Sequence, residues 1–150
     1  MHEHGPRVPA RTHRLPVRVY YEDTDAAGLV YHARYLHFME RARTEMLREA
    51  GADHPKLMAE EGLAFAVRRL AIEFVRPARL DDLLLVETRM TGFSGARIEL
   101  DQRVLRGVDL VAECALTLAC IDRGGRARRI PPLLLAAFAA GPTSNLTDGA

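Results

Sequence analysis

The sequence predicts an α+β domain in which one long helix packs against one antiparallel sheet. Apolar residues follow a helical period from about Ala33 to Ala50, and they alternate as in strands over most of the later chain. The connections between those strands are short. Parallel neighbours need crossovers of a dozen residues or more, so short connections indicate antiparallel pairs. A helix and a sheet that each carry an apolar face form one core.

The composition is that of an ordinary soluble globular protein. The chain has 150 residues, of which 48% are hydrophobic and 27% are charged, and the formal net charge is +1. Such a balance gives no field that attracts nucleic acid or an anionic membrane, so neither is expected as a partner. The first sixteen residues lack the apolar segment of a secretory signal. The longest apolar run, 133–140, is too short to span a bilayer.

The two cysteines favour a reducing compartment. Cys114 and Cys120 are six residues apart on one predicted strand, which places them on the same side and roughly 20 Å apart. That separation excludes a disulfide between them. No other feature indicates an oxidising compartment, so we expect the protein in the cytoplasm.

A single domain at residues 16–140 is expected between two flexible tails, 1–15 and 141–150, which contain prolines and turn residues. The domain opens with a strand, because Val17, Val19 and Tyr21 alternate with polar neighbours. The first tail also carries three histidines that are not expected to bind a metal: His2, His4 and His13.

The long helix and the later elements follow in chain order. The helix has an apolar stripe opposite a charged face, and Gly51 ends it. A short helix at 55–61 has Asp53 near its N-cap and Gly62 at its end. A change of phase at Arg68–Arg69 predicts a bulge in the next strand. The remaining expected elements are strands at 65–74, 83–90, 97–104 and 110–121, turns at 77–82 and 122–129, and a short helix from Pro131.

The segment between the first strand and the long helix carries groups that suit acyl transfer. Residues 20–36 contain three carboxylates, a phenol and an imidazole, namely Glu22, Asp23, Asp25, Tyr21 and His32. A helix N-terminus offers unpaired backbone N–H groups and the positive end of the dipole, and such donors stabilise an oxyanion. A nearby carboxylate attacks a thioester carbonyl, or deprotonates a water that does.

Less specific interpretations exist for the same residues. Asp and Thr before a helix are usually turn and cap residues, and Gly28 is by default a turn glycine. Tyr21 shares the phase of Val17 and Val19 and is therefore also a candidate core residue. A cation site at the three carboxylates is a further alternative, although the segment lacks the spaced oxygen ligands of a calcium loop.

Two strings resemble one enzyme family. The first, VRVYYEDTDAAGLVYHARYLHFMERARTEML at 17–47, resembles the active-site region of the 4-hydroxybenzoyl-CoA thioesterase family. It is most similar to the branch of acyl-CoA thioesterases associated with the Tol-Pal system. The second, GLAFAVRRLAIEFVRPARLDD at 62–82, continues the similarity. The hallmark is Asp-Thr-Asp-x-x-Gly followed by Val-Tyr-His; Ala27 departs from a common glycine, and Leu29 from the usual Val or Ile.

The resemblance implies a hotdog fold, in which an antiparallel sheet wraps around the long helix. It also implies that Asp25 is the catalytic carboxylate, as general base or as nucleophile, with Tyr21 and His32 as supporting polar residues. The backbone N–H at or near His32 would polarise the thioester carbonyl. The implied reaction is hydrolysis of an acyl-CoA, or of an acyl carrier protein thioester, and it needs no metal or redox cofactor.

The resemblance further implies a substrate site shared between the subunits of a homodimer or homotetramer, with coenzyme A in a cleft between them. Expected substrate contacts are Gly28, Val30, Tyr31, Arg68, Ser94 and Gly95. The phosphates need positive partners, although any single surface arginine is more often only solvated. The available arginines are Arg68, Arg69, Arg97, Arg126, Arg128 and Arg129.

Two other functions stay open at this point. Resemblance to the hotdog hydratases would require an Asp-x4-His arrangement. Asp25 and His32 are seven residues apart, and this spacing counts against a hydratase function. A non-catalytic acyl-binding scaffold linked to the cell envelope is the second alternative.

Overall fold

The computed structural model describes residues 11–51 and 54–140 of the chain. Its elements in chain order are β1 (Thr12–Arg18), a one-turn 3-10 helix (Tyr21–Asp23), α1 (His32–Glu49), α2 (His54–Glu61), β2 (Leu63–Phe74), β3 (Leu83–Ser94), β4 (Arg97–Arg106), β5 (Asp109–Asp122) and α3 (Pro132–Ala140). The strands form one sheet in the order β1-β3-β4-β5-β2, and every neighbouring pair is antiparallel. The predicted α+β architecture is confirmed.

The core lies between α1 and one face of the sheet. Alternate residues of the central strands are buried there, as the period of two requires. The buried stripe of α1 repeats every three or four residues and includes Tyr35, Phe38, Met39, Ala42 and Met46. These apolar faces pack against each other and form the core.

The direction of α1 across the sheet positions both of its ends. At its start, the ring of His32 lies 6.1 Å from the ring of Phe74 at the end of β2. At its finish, Glu49 Oε2 lies 3.2 Å from Nε2 of His13 on β1, without the alignment of a hydrogen bond. The helix therefore crosses from one edge strand to the other, and its N-terminus opens beside β2.

The first strand differs from its prediction at both ends. It begins at Thr12, so residues 12–15 belong to the sheet and not to the predicted tail, and His13 is buried. Pro16 is tolerated because β1 is an edge strand that pairs only with β3. The strand ends at Arg18, since the backbone of Val19 bonds to Asp81 and Asp82 and then turns into the 3-10 helix. Tyr21 is consequently 83% exposed, and its interpretation as a core residue is wrong.

The later elements agree more closely with expectation. The register of β2 shifts between Val67 and Arg69, which confirms the predicted bulge at Arg68–Arg69. Strand β3 runs on to Ser94, four residues past its predicted end, with a register shift between Met90 and Gly92. The two cysteines lie on β5 and are not bonded to each other, as predicted, and both are buried.

Some predictions fall outside the described residues, namely the N-cap at Asp53, the histidines His2 and His4, and the tails at 1–10 and 141–150. Among the helices that the structure does describe, none is both long and apolar enough to traverse a bilayer.

Candidate active site

The first half of the loop between β1 and α1, residues 20–24, is fixed by the carboxylate of Asp23. Asp23 is 5% exposed. Its Oδ1 accepts hydrogen bonds from Nε and Nη2 of Arg34, at 2.9 and 2.6 Å, and its Oδ2 accepts one from the Tyr20 N–H at 2.8 Å. The Tyr31 N–H donates to the Asp23 carbonyl at 2.9 Å. Asp23 thus joins the loop to the first turn of α1, and both of its side-chain oxygens are engaged.

The second half of the loop, residues 25–30, presents Asp25 differently. Asp25 is exposed, and its Oδ1 accepts hydrogen bonds from the N–H groups of Ala27 (2.9 Å) and Leu29 (3.2 Å). Within the described chain, Oδ2 has no hydrogen-bond partner. Gly28 closes the turn with φ +80°, a conformation that favours glycine, and Thr24 pairs with Val30 across it. The carboxylate is therefore held through one oxygen and left open at the other.

The turn at 77–82 supports this second half through backbone contacts. The Val30 N–H donates to the Ala78 carbonyl at 2.9 Å, and Leu29 forms a bridge with Arg79. Beneath the turn, the hydroxyl of the buried Tyr35 accepts a hydrogen bond from the Ala78 N–H at 3.1 Å. Burial raises the pKa of Tyr35, although that hydrogen bond opposes the shift.

Asp82 holds the other end of the same turn. Its Oδ2 accepts hydrogen bonds from the Arg79 N–H and from Nη1 of Arg106, each at 2.9 Å. Burial raises the pKa of Asp82, but these two donors and the charges of both arginines outweigh it, so the pKa lies below its ordinary value. An ionised side chain therefore helps to hold the turn that supports the Asp25 segment.

The start of α1 supplies unpaired donors next to this loop. Tyr31, the N-cap residue, makes no side-chain capping bond. The Arg34 N–H is bonded to the Tyr31 carbonyl at 2.8 Å, whereas the N–H groups of His32 and Ala33 have no partner in the part of the chain that is described. The exposed His32 ring lies between Tyr31, at 4.6 Å between centroids, and Phe74. This end of the helix can accept an anion or a polarised carbonyl.

Large apolar side chains are exposed around the same end of the sheet. Tyr31 and Phe74 are each 49% exposed, and the others are Tyr20, Tyr21, Val75, Leu80 and Leu83. A surface of this kind is usual for a binding site or an interface. The local features therefore combine a carboxylate with one open oxygen, free N–H donors and an apolar surround.

Comparison with known proteins decides the family. The model of the thioesterase-like superfamily matches residues 19–138, which include the whole loop and helix start described above. The chain belongs to this superfamily. The family predicted from the Asp-Thr-Asp-x-x-Gly string is thereby confirmed.

Relatives in the thioesterase-like superfamily match most of the chain. The acyl-CoA thioesterase YbgC of Haemophilus influenzae is 52% identical over 110 residues, which are 73% of this chain and 81% of the relative. The acyl-CoA thioester hydrolase YbgC of Escherichia coli is 45% identical over 127 residues, which are 83% of this chain and 94% of the relative. The crystal structure of a probable thioesterase from Bartonella henselae is 42% identical, with a TM-score of 0.78, and the match covers 81% of this chain and all of that one. This likeness confirms the predicted hotdog fold.

The structure brings together only part of the site expected for a thioesterase. Asp25, Gly28, Val30, Tyr31 and His32 share one end of the sheet with Phe74 and the turn at 77–82. Ser94 and Gly95 lie at the far end of β3, whose twelve residues span roughly 36 Å. The exposed Arg97, Arg126, Arg128 and Arg129 lie at that far end too, and Arg68 and Arg69 lie midway along β2. Within one chain the two groups cannot touch the same thioester.

Three residues that shape the site were not among the predicted site residues. Arg34 pairs with Asp23 across eleven residues, Phe74 contacts His32 from another strand, and Tyr35 bonds to Ala78 across 43 residues. Periodicity assigned Tyr35 only to the core. The partners of all three depend on tertiary contacts, so no local pattern could have named them.

Proposed function

We propose that the chain hydrolyses acyl-CoA thioesters, with Asp25 as the group that activates the attacking water. The observation that carries the proposal is the open Oδ2 of Asp25 in a loop that leads directly to unpaired N–H groups at His32 and Ala33. The relatives named as acyl-CoA thioesterases support the substrate class. A carboxylate base and an oxyanion site are the central requirements of acyl transfer.

The chemistry follows from these two features. A water that donates a hydrogen bond to Asp25 Oδ2 gives up a proton to it and attacks the thioester carbonyl carbon. The N–H at His32 and the helix dipole stabilise the negative charge on the carbonyl oxygen. The C–S bond then breaks, and the thiolate takes the proton from Asp25. The His32 ring assists by orienting the water. A covalent anhydride with Asp25 is the alternative route to the same products.

We further propose that a second copy of the chain completes the site. Strand β2 is an edge strand with exposed Val67 and Phe74, so its backbone can pair with another sheet. A homodimer or a homotetramer would cover the apolar surface around Asp25. It would also allow the arginines at the far end of one sheet to approach the thioester bound at the other chain, where they would hold the coenzyme A phosphates. The two free thiols agree with a cytoplasmic location.

A thiol-release assay over acyl-CoAs of increasing chain length, with and without an aromatic acyl group, tests the proposed activity. The same acyl groups on an acyl carrier protein test the alternative donor. A parallel assay of crotonyl-CoA hydration gives the contrast. We expect thiol release and no hydration. Hydration without thiol release would replace the proposal with a hydratase, and silence in both assays would leave a binding role.

Substitutions within the loop test the assignment of Asp25. Asp25→Asn keeps an acceptor for the Ala27 and Leu29 N–H groups but cannot take a proton, so we expect kcat to fall by about a hundredfold or more. His32→Ala is expected to cost less, and Tyr21→Phe least, because neither side chain accepts the proton. An Asp25→Asn enzyme that keeps near-normal kcat while remaining folded contradicts the assignment.

A further inference from the structure

Within the described chain, a half-buried arginine on α1 has no acidic partner within 4.0 Å. Arg43 donates one hydrogen bond, from Nη1 to Oε1 of Gln102 at 2.9 Å. Nothing else in the described chain accepts a hydrogen bond from its guanidinium or forms an ion pair with it within 4.0 Å. Burial lowers the pKa of Arg43, although the charge of Glu40 opposes the shift. A partly desolvated cation without a counterion is unfavourable unless something anionic joins it.

The side chain that orients Arg43 is that of Gln102, whose amide oxygen and nitrogen are both hydrogen-bonded. Gln102 is completely buried on the inner face of β4. Its Nε2 donates to the carbonyl of Met39 and to Oγ1 of Thr88, each at 2.9 Å, which leaves Oε1 directed at Arg43. These three bonds also assign the amide orientation of Gln102, since only the nitrogen can donate to a carbonyl. The guanidinium is thus held in place by a buried core residue, and its remaining donors have no partner in the described chain.

Arg43 and the helix start lie on the same side of α1. Residue 43 follows residue 32 by eleven positions, which is three helical turns and about 16.5 Å along the axis. Between them on this side lies Leu36, an apolar residue that is 38% exposed. On β2, the ring of Phe74 faces His32, and Ile72, on the same face of that strand, packs against the core. Along the helix, the proposed reaction centre at His32 is therefore followed by the apolar Leu36 and then by the cationic Arg43.

We propose that Arg43 binds a carboxylate at the far end of the acyl chain, so that the enzyme favours thioesters of dicarboxylic acids over those of simple fatty acids. The inference rests on the proposed hydrolysis at Asp25. A carbonyl held at His32 directs its acyl chain past Leu36, and a terminal carboxylate supplies the counterion that Arg43 lacks. Arg43 is then a specificity-determining residue, and Gln102 is the residue that positions it.

The test compares pairs of acyl-CoAs of equal length, one ending in methyl and the other in carboxylate, from six to twelve carbons. Arg43→Met keeps the length of the side chain without its charge. We expect the ratio of kcat/KM for the carboxylate over the methyl substrate to fall about tenfold or more, which is the range for losing a charged hydrogen bond. Both values come from one preparation, so partial unfolding does not affect the ratio.

Two further variants give the controls. Arg41→Met removes a charge from the exposed face of the same helix and should leave the ratio unchanged. Arg43→Lys should retain part of the preference. The proposal is overturned if Arg43→Met lowers both substrates equally. Repeating the assay with acyl-pantetheines, which lack the coenzyme A phosphates, identifies one cause: if the equal loss then vanishes, Arg43 contacts a phosphate instead.

A binding experiment separates failure of this inference from failure of the proposed hydrolysis. Calorimetric titration with suberic acid monoamide and with octanamide, which differ only in the terminal carboxylate, needs no turnover. Tighter binding of the monoamide acid that is lost in Arg43→Met supports the carboxylate site even if no thioester is hydrolysed. Equal binding of the two amides to the unaltered protein overturns it, whether or not the thiol-release assay succeeds.

Discussion

The two halves of the loop between β1 and α1 use the same residue type in opposite ways. In the first half, Asp23 is buried and saturated by Arg34 and the Tyr20 N–H. In the second half, Asp25 is exposed and offers one oxygen without a partner in the described structure. A carboxylate that fixes the loop and one that is free to react are therefore only two residues apart in the chain.

The halves also differ in what supports them. A side-chain ion pair holds the first half to α1, whereas backbone bonds from Val30 and Gly28 hold the second half to the turn at 77–82. Backbone support leaves side chains free, which suits a segment that must face substrate. A motif with three carboxylates is therefore not necessarily one site, and the different surroundings of Asp23 and Asp25 argue against a cation shared by Glu22, Asp23 and Asp25.

The largest effect on stability is expected from the first half. Asp23→Ala leaves Arg34 with only the exposed Glu22 as a partner and the Tyr20 N–H without its acceptor. Because Arg34 is partly exposed, we expect the free energy of unfolding to fall by about 3 kcal/mol, the lower end of the range for breaking a buried pair. Urea denaturation measures the change. Asp25→Asn should by contrast stay close to the unaltered protein in stability while losing activity.

Glu22→Ala is the matched control for Asp23→Ala. Glu22 contacts the same arginine at 3.4 Å, but its side chain is 74% exposed. An exposed pair contributes about 0–1 kcal/mol, so this variant should be nearly neutral. If Asp23→Ala is no more harmful than Glu22→Ala, the distinction between a structural and a reactive carboxylate fails.

A smaller effect is expected where the second half is supported. Tyr35→Phe removes the acceptor of the Ala78 N–H, and an unpaired buried N–H costs about 1–3 kcal/mol. Amide hydrogen exchange should quicken more at Val30, which bonds to Ala78, than at Tyr31, which bonds to Asp23. The control is Tyr31→Phe, whose side chain is 49% exposed. Equal acceleration at both amides would mean that the two halves are not separately supported.

The elements that were predicted correctly are those that a local sequence pattern specifies. The period of α1, the bulge at Arg68 and the antiparallel hairpins followed from residue order alone. The start of β1 was missed because residues 12–15 bury a histidine and precede a proline, whereas typical strands bury β-branched or aromatic residues. The sheet order also had no local cue, since β2 joins β5 across the domain.

The site was predicted unevenly for the same reason. The placement of Asp25 before α1 could be predicted from the sequence string because the loop is continuous in the chain. The roles of Asp23 and Arg34 depend on a contact that forms only after α1 has begun. The separation of Ser94 from Asp25 depends on the direction of β3, which the resemblance to a family could not supply.

The smallest expected effect is a pH dependence of stability that arises in the turn at 77–82, which supports the second half of the loop. The pKa of Asp82 is lowered in the folded protein, so its ionised form stabilises the fold. That contribution is fully present above the unfolded-state value of about 3.9, and it is lost as pH falls through the lower folded pKa. Asp82→Asn removes it, so the gap in free energy of unfolding between the two proteins should narrow steadily below about pH 4.

Urea denaturation of both proteins between neutral and acid pH measures this gap. Asp109→Asn, on the exposed start of β5, controls for the loss of one negative charge. Protection of the Val30 amide, measured as its exchange rate relative to the intrinsic rate at each pH, should fall with acid in the unaltered protein and should be low at every pH in Asp82→Asn, because the ionised carboxylate helps to hold the turn beneath it. If the difference in free energy of unfolding stays constant down to acid pH, the Asp25 segment is supported by backbone hydrogen bonds alone. The two halves of the loop would then differ more than their hydrogen bonds indicate.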